Sequence, residues 1–581
     1  MNLLFETKLN DLLQKIFTKL NLNTRFASVK LSDRPDLSDF QCNGALALAK
    51  EAHKNPREIA AAIAEELKNE NILKSVSVDG PGFLNIQLSD EYISENLNKI
   101  SEDERLGCGT TDNPHKVILD YGGPNVAKEM HVGHLRSGVI GESIRRIEKF
   151  IGNEVIADVH LGDWGTPMGM ILSEIINQDG NLDKVETYNI EEITVFYKQA
   201  NIRCKEDENA KEQARKITAE LQDGNPLYRK AWQHLRKESV NAIKKNYLEL
   251  DVNFDLWWGE SDAHDTCGEI VKIARDKKIS EVDNGAEIIR LEDSSKPKPP
   301  IILIKSDGGY TYHTTDLATI KMRVDSFKAE EIVYFTDSRQ SLHFEQVFEG
   351  AQKLGISPNT KLQHIVFGTV NGADGKPFKT RDGGVMNLET LIDISKEKVS
   401  HSLPKANEVE GYGQKEIDKL TSQIAVAAIK FQDLKNTIAS GYVFELDDFA
   451  KFEGKTGPYI QYAIARINSI LRKSGAVKTG KIIITAPEER SLALKLAQLH
   501  NIIMRAHTEK EPSIIADYAY TLAQTFSSFY NACPILNAEN NDLVSSRLHL
   551  AQTVRNTLRL LLYLLGIESP EIMLKANNSE D

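Results

Sequence analysis

Apolar and polar positions along the chain fall into a recurring unit. Residues 117–119 form a short apolar run ending in Asp120-Tyr121, and three turn formers follow, Gly122, Gly123 and Pro124. From Leu135 the apolar residues recur at Val139, Ile140, Ile144, Ile147, Phe150 and Ile151, one face of a helix, with Gly152-Asn153 as its stop. The pattern predicts strand, glycine turn, helix. Residues 155–159 predict a second strand, leading into HLGDWGTP at 160–167. Further strands are predicted at 301–304, 332–335 and 364–370, several again followed by polar or glycine-bearing loops. Alternation of this kind belongs to a parallel α/β sheet.

The flanking regions differ. Residues 1–110 read as a separate α/β unit. It has an amphipathic helix at the start, a helix from about Gly44, a break at Asn55-Pro56 and another helix; two strands follow, at 76–78 and 83–88, joined by Asp-Gly-Pro-Gly. Residues 171–252 are helical and heavily charged, with Trp232 and Leu235 facing a core, and form an insertion between the halves of the sheet. Residues 421–581 read as all helix, ending in a frayed KANNSED tail.

Composition narrows the class. A chain of 581 residues, 41% hydrophobic and 27% charged, fits several globular domains. It has no apolar run of membrane-spanning length. The N-terminal stretch carries acids, which makes it a poor signal or transit peptide, so a cytoplasmic location is expected. Five scattered cysteines without a Cys-x-x-Cys pair argue for a reducing compartment and against zinc or disulfides. A net charge of −13 excludes a general nucleic-acid coater; any RNA site must be local.

The chemistry sits in the turn after residue 120. A strand feeding a helix N-terminus makes an anion site, because the first N–H groups are unpaired and the dipole points its positive end outward. His131 and His134, three apart, project from one face there, and Lys128 is close by, so all three can donate to phosphate oxygens. Gly133 leaves room for a flat ring. Taken alone, His-x-Gly-His is as well explained by two surface histidines; the strand, turn and helix around it favour the phosphate site.

PNVAKEMHVGHLRS resembles the signature of class I aminoacyl-tRNA synthetases in the form found in the arginyl-tRNA synthetase family, of bacterial type, and the resemblance continues in order along the chain. HLGDWGTP is similar to a family string in which Gln usually stands where this chain has Pro167, so no role is carried to that position. The resemblance implies a Rossmann-like parallel-sheet catalytic core with helical insertions at 111–420, an N-terminal α/β domain at 1–110 that binds the tRNA D-loop, and a C-terminal all-helical anticodon-binding domain at 421–581. It implies arginine-tRNA ligase activity. Arginine is activated with ATP to arginyl-adenylate and pyrophosphate, then passed to the 2′-hydroxyl of the terminal adenosine of tRNA(Arg).

The same resemblance assigns residues. His131, His134, Lys128 and Lys379 would neutralise phosphate charge, with Mg²⁺ arriving with ATP. His131, Gly133, His134, Lys379 and Arg381 would bind ATP; KPFKTRDGG, containing the last pair, stands where most class I enzymes carry Lys-Met-Ser-Lys-Ser. Gly123, Asn125 and His134 would hold the amino and carboxylate end of arginine. Tyr312 and Asp316 would grip its guanidinium, whose fork a carboxylate matches and lysine cannot reproduce. Without the resemblance, Asp316 reads as a helix cap. Gln340 would line the same pocket. Phe83 and Asn85 would touch the tRNA elbow, although Phe83 reads by itself as core. Tyr459, Gln461, Tyr462 and Arg466 would face tRNA, and Tyr530, Asn531 and Arg547 are exposed-side candidates. No editing site and no metal ligand set is expected. The expected form is a monomer whose partners are tRNA(Arg), L-arginine and ATP. The open alternatives are a class I synthetase for another amino acid, which would lack Asp316 opposite the side chain, and a non-catalytic tRNA-binding paralogue, which would have no use for the histidine pair.

Overall fold

The structure, a computed structural model, describes residues 5–34, 37–291, 298–372, 374–376, 378, 386–404, 413–445, 451–475 and 477–574. The chain begins with α1 (Phe5–Lys19), β1 (Lys30–Leu31), β2 (Phe40–Cys42), α2 (Gly44–Ala52), α3 (Pro56–Leu67), β3 (Leu73–Asp79) and β4 (Phe83–Leu88). Its four strands form an antiparallel sheet in the order β1-β2-β4-β3. As the sequence predicts, Asn55 caps α3 and Pro56 occupies its first turn. Helix α4 (Asp90–Glu102) leads to the catalytic region.

There β5 (Lys116–Asp120), α5 (Val132–Ile151) and β6 (Glu154–Asp158) form the predicted strand–helix–strand. Four helices follow: α6 (Thr166–Asp179), α7 (Ile190–Glu206), α8 (Glu208–Gln222) and α9 (Pro226–Glu249). They close over their own apolar core, in which Leu235 is fully buried and Trp232 is packed at the margin. Next come α10 (Glu260–Asp276), β7 (Ser280–Asp283), β8 (Ala286–Ile289), β9 (Ile301–Ile304), α11 (Tyr312–Phe327), β10 (Glu331–Asp337), α12 (Ser341–Leu354), β11 (Lys361–Phe367), β12 (Val370–Asn371) and α13 (Leu388–His401). The main sheet is parallel throughout, in the order β11-β10-β5-β6. Chain order reverses between β5 and β10, and in open α/β sheets ligands bind at the carboxyl ends of the strands beside such a reversal.

Two strand expectations change. The apolar run at 301–304 does not join the parallel sheet; β9 pairs antiparallel with β8 in a separate sheet of order β7-β8-β9. The strand expected over 364–370 breaks at Gly368, whose backbone is packed against Ser440 and Gly441 too closely for any side chain, and resumes as β12. The chain continues with α14 (Gln414–Leu434), β13 (Tyr442–Val443), α15 (Gly457–Lys473), α16 (Pro487–Leu496), α17 (Leu499–Glu509), α18 (Ser513–Ala532) and α19 (Asn541–Leu564). Among the described residues of the C-terminal region the regular elements are helices apart from β13, which pairs parallel with β12.

Helix α5 is the spine. The apolar stripe read from the sequence is buried except for the half-buried Phe150, each buried side chain contributing about 1.5–3 kcal/mol. The opposite face is also covered, because the C-terminal helices pack there. Its polar residues are therefore internal and partnered: Ser143 donates to the Leu564 carbonyl (2.9 Å), and Glu148 accepts from Lys510 (2.5 Å) and Asn153 (2.6 Å). Gly141 has no side chain because Tyr121 fills that space; a Cβ there would lie 2.1 Å from the Tyr121 ring.

Candidate active site

The turn after β5 uses glycine where it must. Gly122 and Gly123 both have positive φ, +94° and +46°, and Gly123 N–H donates to the Val159 carbonyl, tying this turn to the one after β6. Asn125 is exposed beside Gly162, where a Cβ would collide with Asn125 Oδ1 at 2.0 Å.

His131 caps α5 through its side chain. Its Nδ1 accepts the N–H of Gly133 (3.0 Å), and His134 Nδ1 accepts the N–H of His131 (3.1 Å). The rings stack with centroids 4.0 Å apart. Since both Nδ1 atoms accept backbone hydrogens, each neutral ring carries its proton on Nε2. Burial, then the charges of Arg339 and Lys128, lowers the His131 pKa. Burial, then His131 and Lys128, drives His134 to about 3. The pair is thus neutral at pH 7, two Nε2–H donors at a helix N-terminus rather than two cations. Gly133 makes room for a ring, and the ring occupying it is that of His131, which a Cβ would meet at 2.8 Å. The Lys128 ammonium lies 4.9 Å from the Tyr197 ring centroid, resting on α7.

Across the crevice, Tyr312 and Asp316 stand one turn apart at the start of α11. Tyr312 is 65% exposed, with its hydroxyl toward Gly165, whose Cβ would lie 3.8 Å from it and 4.0 Å from Glu260 Oε2. Asp316 accepts from His343 Nε2 at 2.5 Å. Glu260, the first residue of α10, was not singled out by sequence reading. Burial raises its pKa to about 7; His160 and the Trp164 N–H it accepts pull it down, while Asp163 and Asp316 push it up. The Tyr312 hydroxyl is also raised, by burial and then by Glu260 and Asp316. Two carboxyl groups and a phenol thus converge on one pocket, an arrangement that asks for a cation with several donors.

The remaining assigned residues divide. Gln340 is exposed just before α12, in the same turn as Arg339, whose charge reaches His131. Lys379 and Arg381 lie outside the described residues. The chain flanking that loop is placed, however: Val132 N–H donates to Met386 O (3.2 Å) and Leu388 N–H to Met130 O (2.9 Å), so the loop's return runs beside the histidines. Phe83 is half-buried. Asn85 is corrected: it is buried in β4, accepting from Gln41 (3.0 Å) and donating to Asp79 (2.6 Å), with no free edge for RNA. Gln461 is corrected likewise. It is fully buried on α15, and its amide holds the carbonyls of Gln423 and Glu568. Tyr459, Tyr462 and Arg466 are half-buried, Arg466 stacking on Tyr530 at 4.0 Å. Asn531 is exposed, whereas Arg547 is buried and paired with Glu489 (2.7 Å), so it is no surface candidate.

A parallel sheet with a histidine-capped helix at its switch point, joined to a helical C-terminal region, defines a class I aminoacyl-tRNA synthetase, and residues 96–446 match the family described as tRNA synthetases class I (R), catalytic domain. Residues 4–88 match the arginyl-tRNA synthetase N-terminal domain and residues 460–573 the DALR anticodon-binding domain. The chain is 43% identical to the arginine–tRNA ligase of Hyphomonas neptunium, over 96% of this chain and 98% of that protein. It is 42% identical to the enzyme of that name from Francisella tularensis subsp. novicida, over 98% and 100%. Among solved structures, arginyl-tRNA synthetase from Plasmodium falciparum superposes with a TM-score of 0.83 at 28% identity, covering 98% of this chain and 99% of that one. The Thermus thermophilus arginyl-tRNA synthetase shares the fold, with a TM-score of 0.78 at 22% identity over 98% and 100%. This chain belongs to the arginyl-tRNA synthetase family.

Proposed function

We propose that the chain activates L-arginine with ATP and transfers the arginyl group to the 2′-hydroxyl of the terminal adenosine of tRNA(Arg). The observation that carries the choice of amino acid is the convergence of Asp316, Glu260 and the Tyr312 hydroxyl opposite the histidine-capped helix. A guanidinium presents five N–H donors in a fixed plane, enough to satisfy both carboxylates and the phenol at once; an ammonium is a point charge that leaves acceptors empty. We assign Gln340 and His134 to the same pocket, and Gly123 and Asn125 to the amino and carboxylate end.

The arginine carboxylate oxygen attacks the α-phosphorus of ATP, and the bond to pyrophosphate breaks. No side chain forms a covalent bond. His131 and His134 donate Nε2–H bonds to phosphate oxygens as charge grows, reinforced by the helix N-terminus. Lys128 adds positive charge nearby, and Lys379 and Arg381 take the corresponding part on their loop. Mg²⁺ enters with the nucleotide. Such a cation is carried mainly by phosphate oxygens and water. Phe83, Tyr459, Tyr462 and Arg466 are the residues we assign to tRNA, within a division into 1–110, 111–420 and 421–581. A cytoplasmic monomer completes this reading. No helix among the described residues is long and apolar enough to cross a membrane.

The test is arginine-dependent ATP–pyrophosphate exchange with and without tRNA, in the native chain and in Asp316→Asn. The variant is expected to raise the arginine KM and narrow discrimination against lysine while leaving the ATP KM in place. An unchanged arginine KM removes Asp316 from the pocket.

A further inference from the structure

Arg323 lies two helical turns beyond Asp316 on α11, on the same face, and is completely buried. One of its nitrogens, Nη2, reaches two carboxylates: Asp120 Oδ2 at 2.6 Å and Asp158 Oδ2 at 2.5 Å. Asp120 ends β5, directly before the turn bearing Gly123 and Asn125. Asp158 ends β6, two residues before His160, and its other oxygen accepts the N–H of Trp258 (3.3 Å), which leads into Gly259 and Glu260. A single guanidinium therefore ties together four segments assigned to the amino-acid pocket: the turns after β5 and β6, the start of α10 and the start of α11.

The phosphate end is held by different contacts. Residues 130–132 are bonded to 386–388, and Arg136 on α5 is fixed by the Ser440 carbonyl (2.7 Å) and by Asp433 (3.4 Å). Arg323 touches none of these.

The network is a poor device for stability alone. Both arms of the bridge rest on the one nitrogen Nη2, and the ring of the buried Tyr334 lies 5.4 Å from the guanidinium. Well-packed apolar side chains often serve a core at least as well as a buried ion pair, and the best-attested use of such a pair is to fix a register. We propose that Arg323 is a positioning residue for amino-acid recognition: its bridge to Asp120 and Asp158 sets the separation at which Asp316 and Glu260 receive a guanidinium. This rests on the arginine pocket proposed above.

The test is Arg323→Lys in the full chain with tRNA present. Lysine keeps the charge and loses the planar fork. The arginine KM is expected to rise about tenfold or more, the scale on which misplacement of a binding group acts, with the ATP KM held within about twofold and the arginine/homoarginine discrimination narrowed. Equal changes in both KM values, or none, overturn the proposal. If Arg323→Lys does not fold, Asp158→Asn, which keeps the volume and weakens one arm, carries the same expectation; loss of the fold in both marks the network as structural only and overturns it too. Asp316→Asn separates the two claims. A silent Asp316→Asn removes the pocket itself, whereas a strong Asp316→Asn effect beside silent Arg323 variants removes only the positioning role.

Discussion

Arginine recognition should weaken as pH falls through neutrality, and Glu260 should be the cause. In the free pocket burial holds its carboxyl at about 7. A guanidinium requires the carboxylate, so the complex holds fewer protons than the free enzyme, binding releases a proton, and affinity falls as pH falls. With half of Glu260 neutral at pH 7 and about nine-tenths at pH 6, the arginine KM should rise about fivefold between pH 7 and 6, and about tenfold between pH 8 and 6. Glu260→Gln should flatten that dependence and set the KM about thirtyfold or more above the native value at pH 8, a margin that shrinks to about threefold at pH 6 as the native carboxyl is protonated, since removing one partner of a buried charge pair costs about 2 kcal/mol upward. The assay is tRNA-supported pyrophosphate exchange at saturating ATP from pH 6 to 8. Titration calorimetry in two buffers of different ionisation enthalpy counts the proton released. The ATP KM is the internal control, because both histidines at the phosphate end are lowered, away from neutrality, while Glu260 is raised toward it. An arginine KM that is flat with pH, or a slope that persists in Glu260→Gln, refutes the reasoning.

Gly162→Ala places a Cβ 2.0 Å from Asn125 Oδ1 and should displace that side chain, lowering kcat/KM for arginine about tenfold or more with little change in melting temperature; unchanged kinetics would separate Asn125 from substrate. Lys430 is fully buried, with burial lowering its pKa to about 7 and its ammonium bonded only to the Leu250 carbonyl (2.6 Å). The folded state then binds fewer protons than the unfolded one above pH 7, so native stability should rise by about 2 kcal/mol from pH 7 to 9 in denaturant melts, a gain that Lys430→Met should abolish. Phe83→Ala should raise the KM for tRNA severalfold in aminoacylation without moving the arginine KM; an effect on stability alone would return Phe83 to the domain core.

The parts legible in the sequence are those where one residue type has one physical use. Two glycines before a histidine-bearing helix need a left-handed turn, and the structure has it; the unpaired N–H groups expected at the helix start are instead taken up, Val132 N–H by the Met386 carbonyl and Gly133 N–H by His131 Nδ1. What stayed hidden depends on partners distant in the chain. Glu260 reads in sequence as an acid in the first turn of a helix, ordinary beside Gly259 and the capping Asp262; only the fold brings it to Tyr312 and Asp316. Gln461 and Asn85 fail for the converse reason. A polar residue at helical or strand spacing looks exposed until a neighbouring element covers it, and Gln461 is covered by the chain around Glu568, more than a hundred residues away. The charge of the histidine pair could not be read either, because it depends on which ring nitrogen the backbone claims.

That last point bears on how the phosphate end works. Cations at a helix N-terminus would grip the ground-state triphosphate and the released pyrophosphate about as firmly as the transition state, and such uniform binding lowers KM without raising kcat. Neutral imidazoles with their Nδ1 atoms committed to the Gly133 and His131 N–H groups present only directed Nε2–H donors. Their worth depends on alignment with oxygens whose charge changes during the reaction. The fixed positive charge belongs instead to Lys128 at the rim and to the sequence Lys379-Thr380-Arg381. The chain that returns from that sequence is bonded at Met386 and Leu388 to residues 132 and 130, so it is anchored beside the histidine pair. The amino-acid pocket lies on the far side of the crevice from the histidine pair, so the raised carboxyl of Glu260 gives the arginine KM a pH dependence of its own.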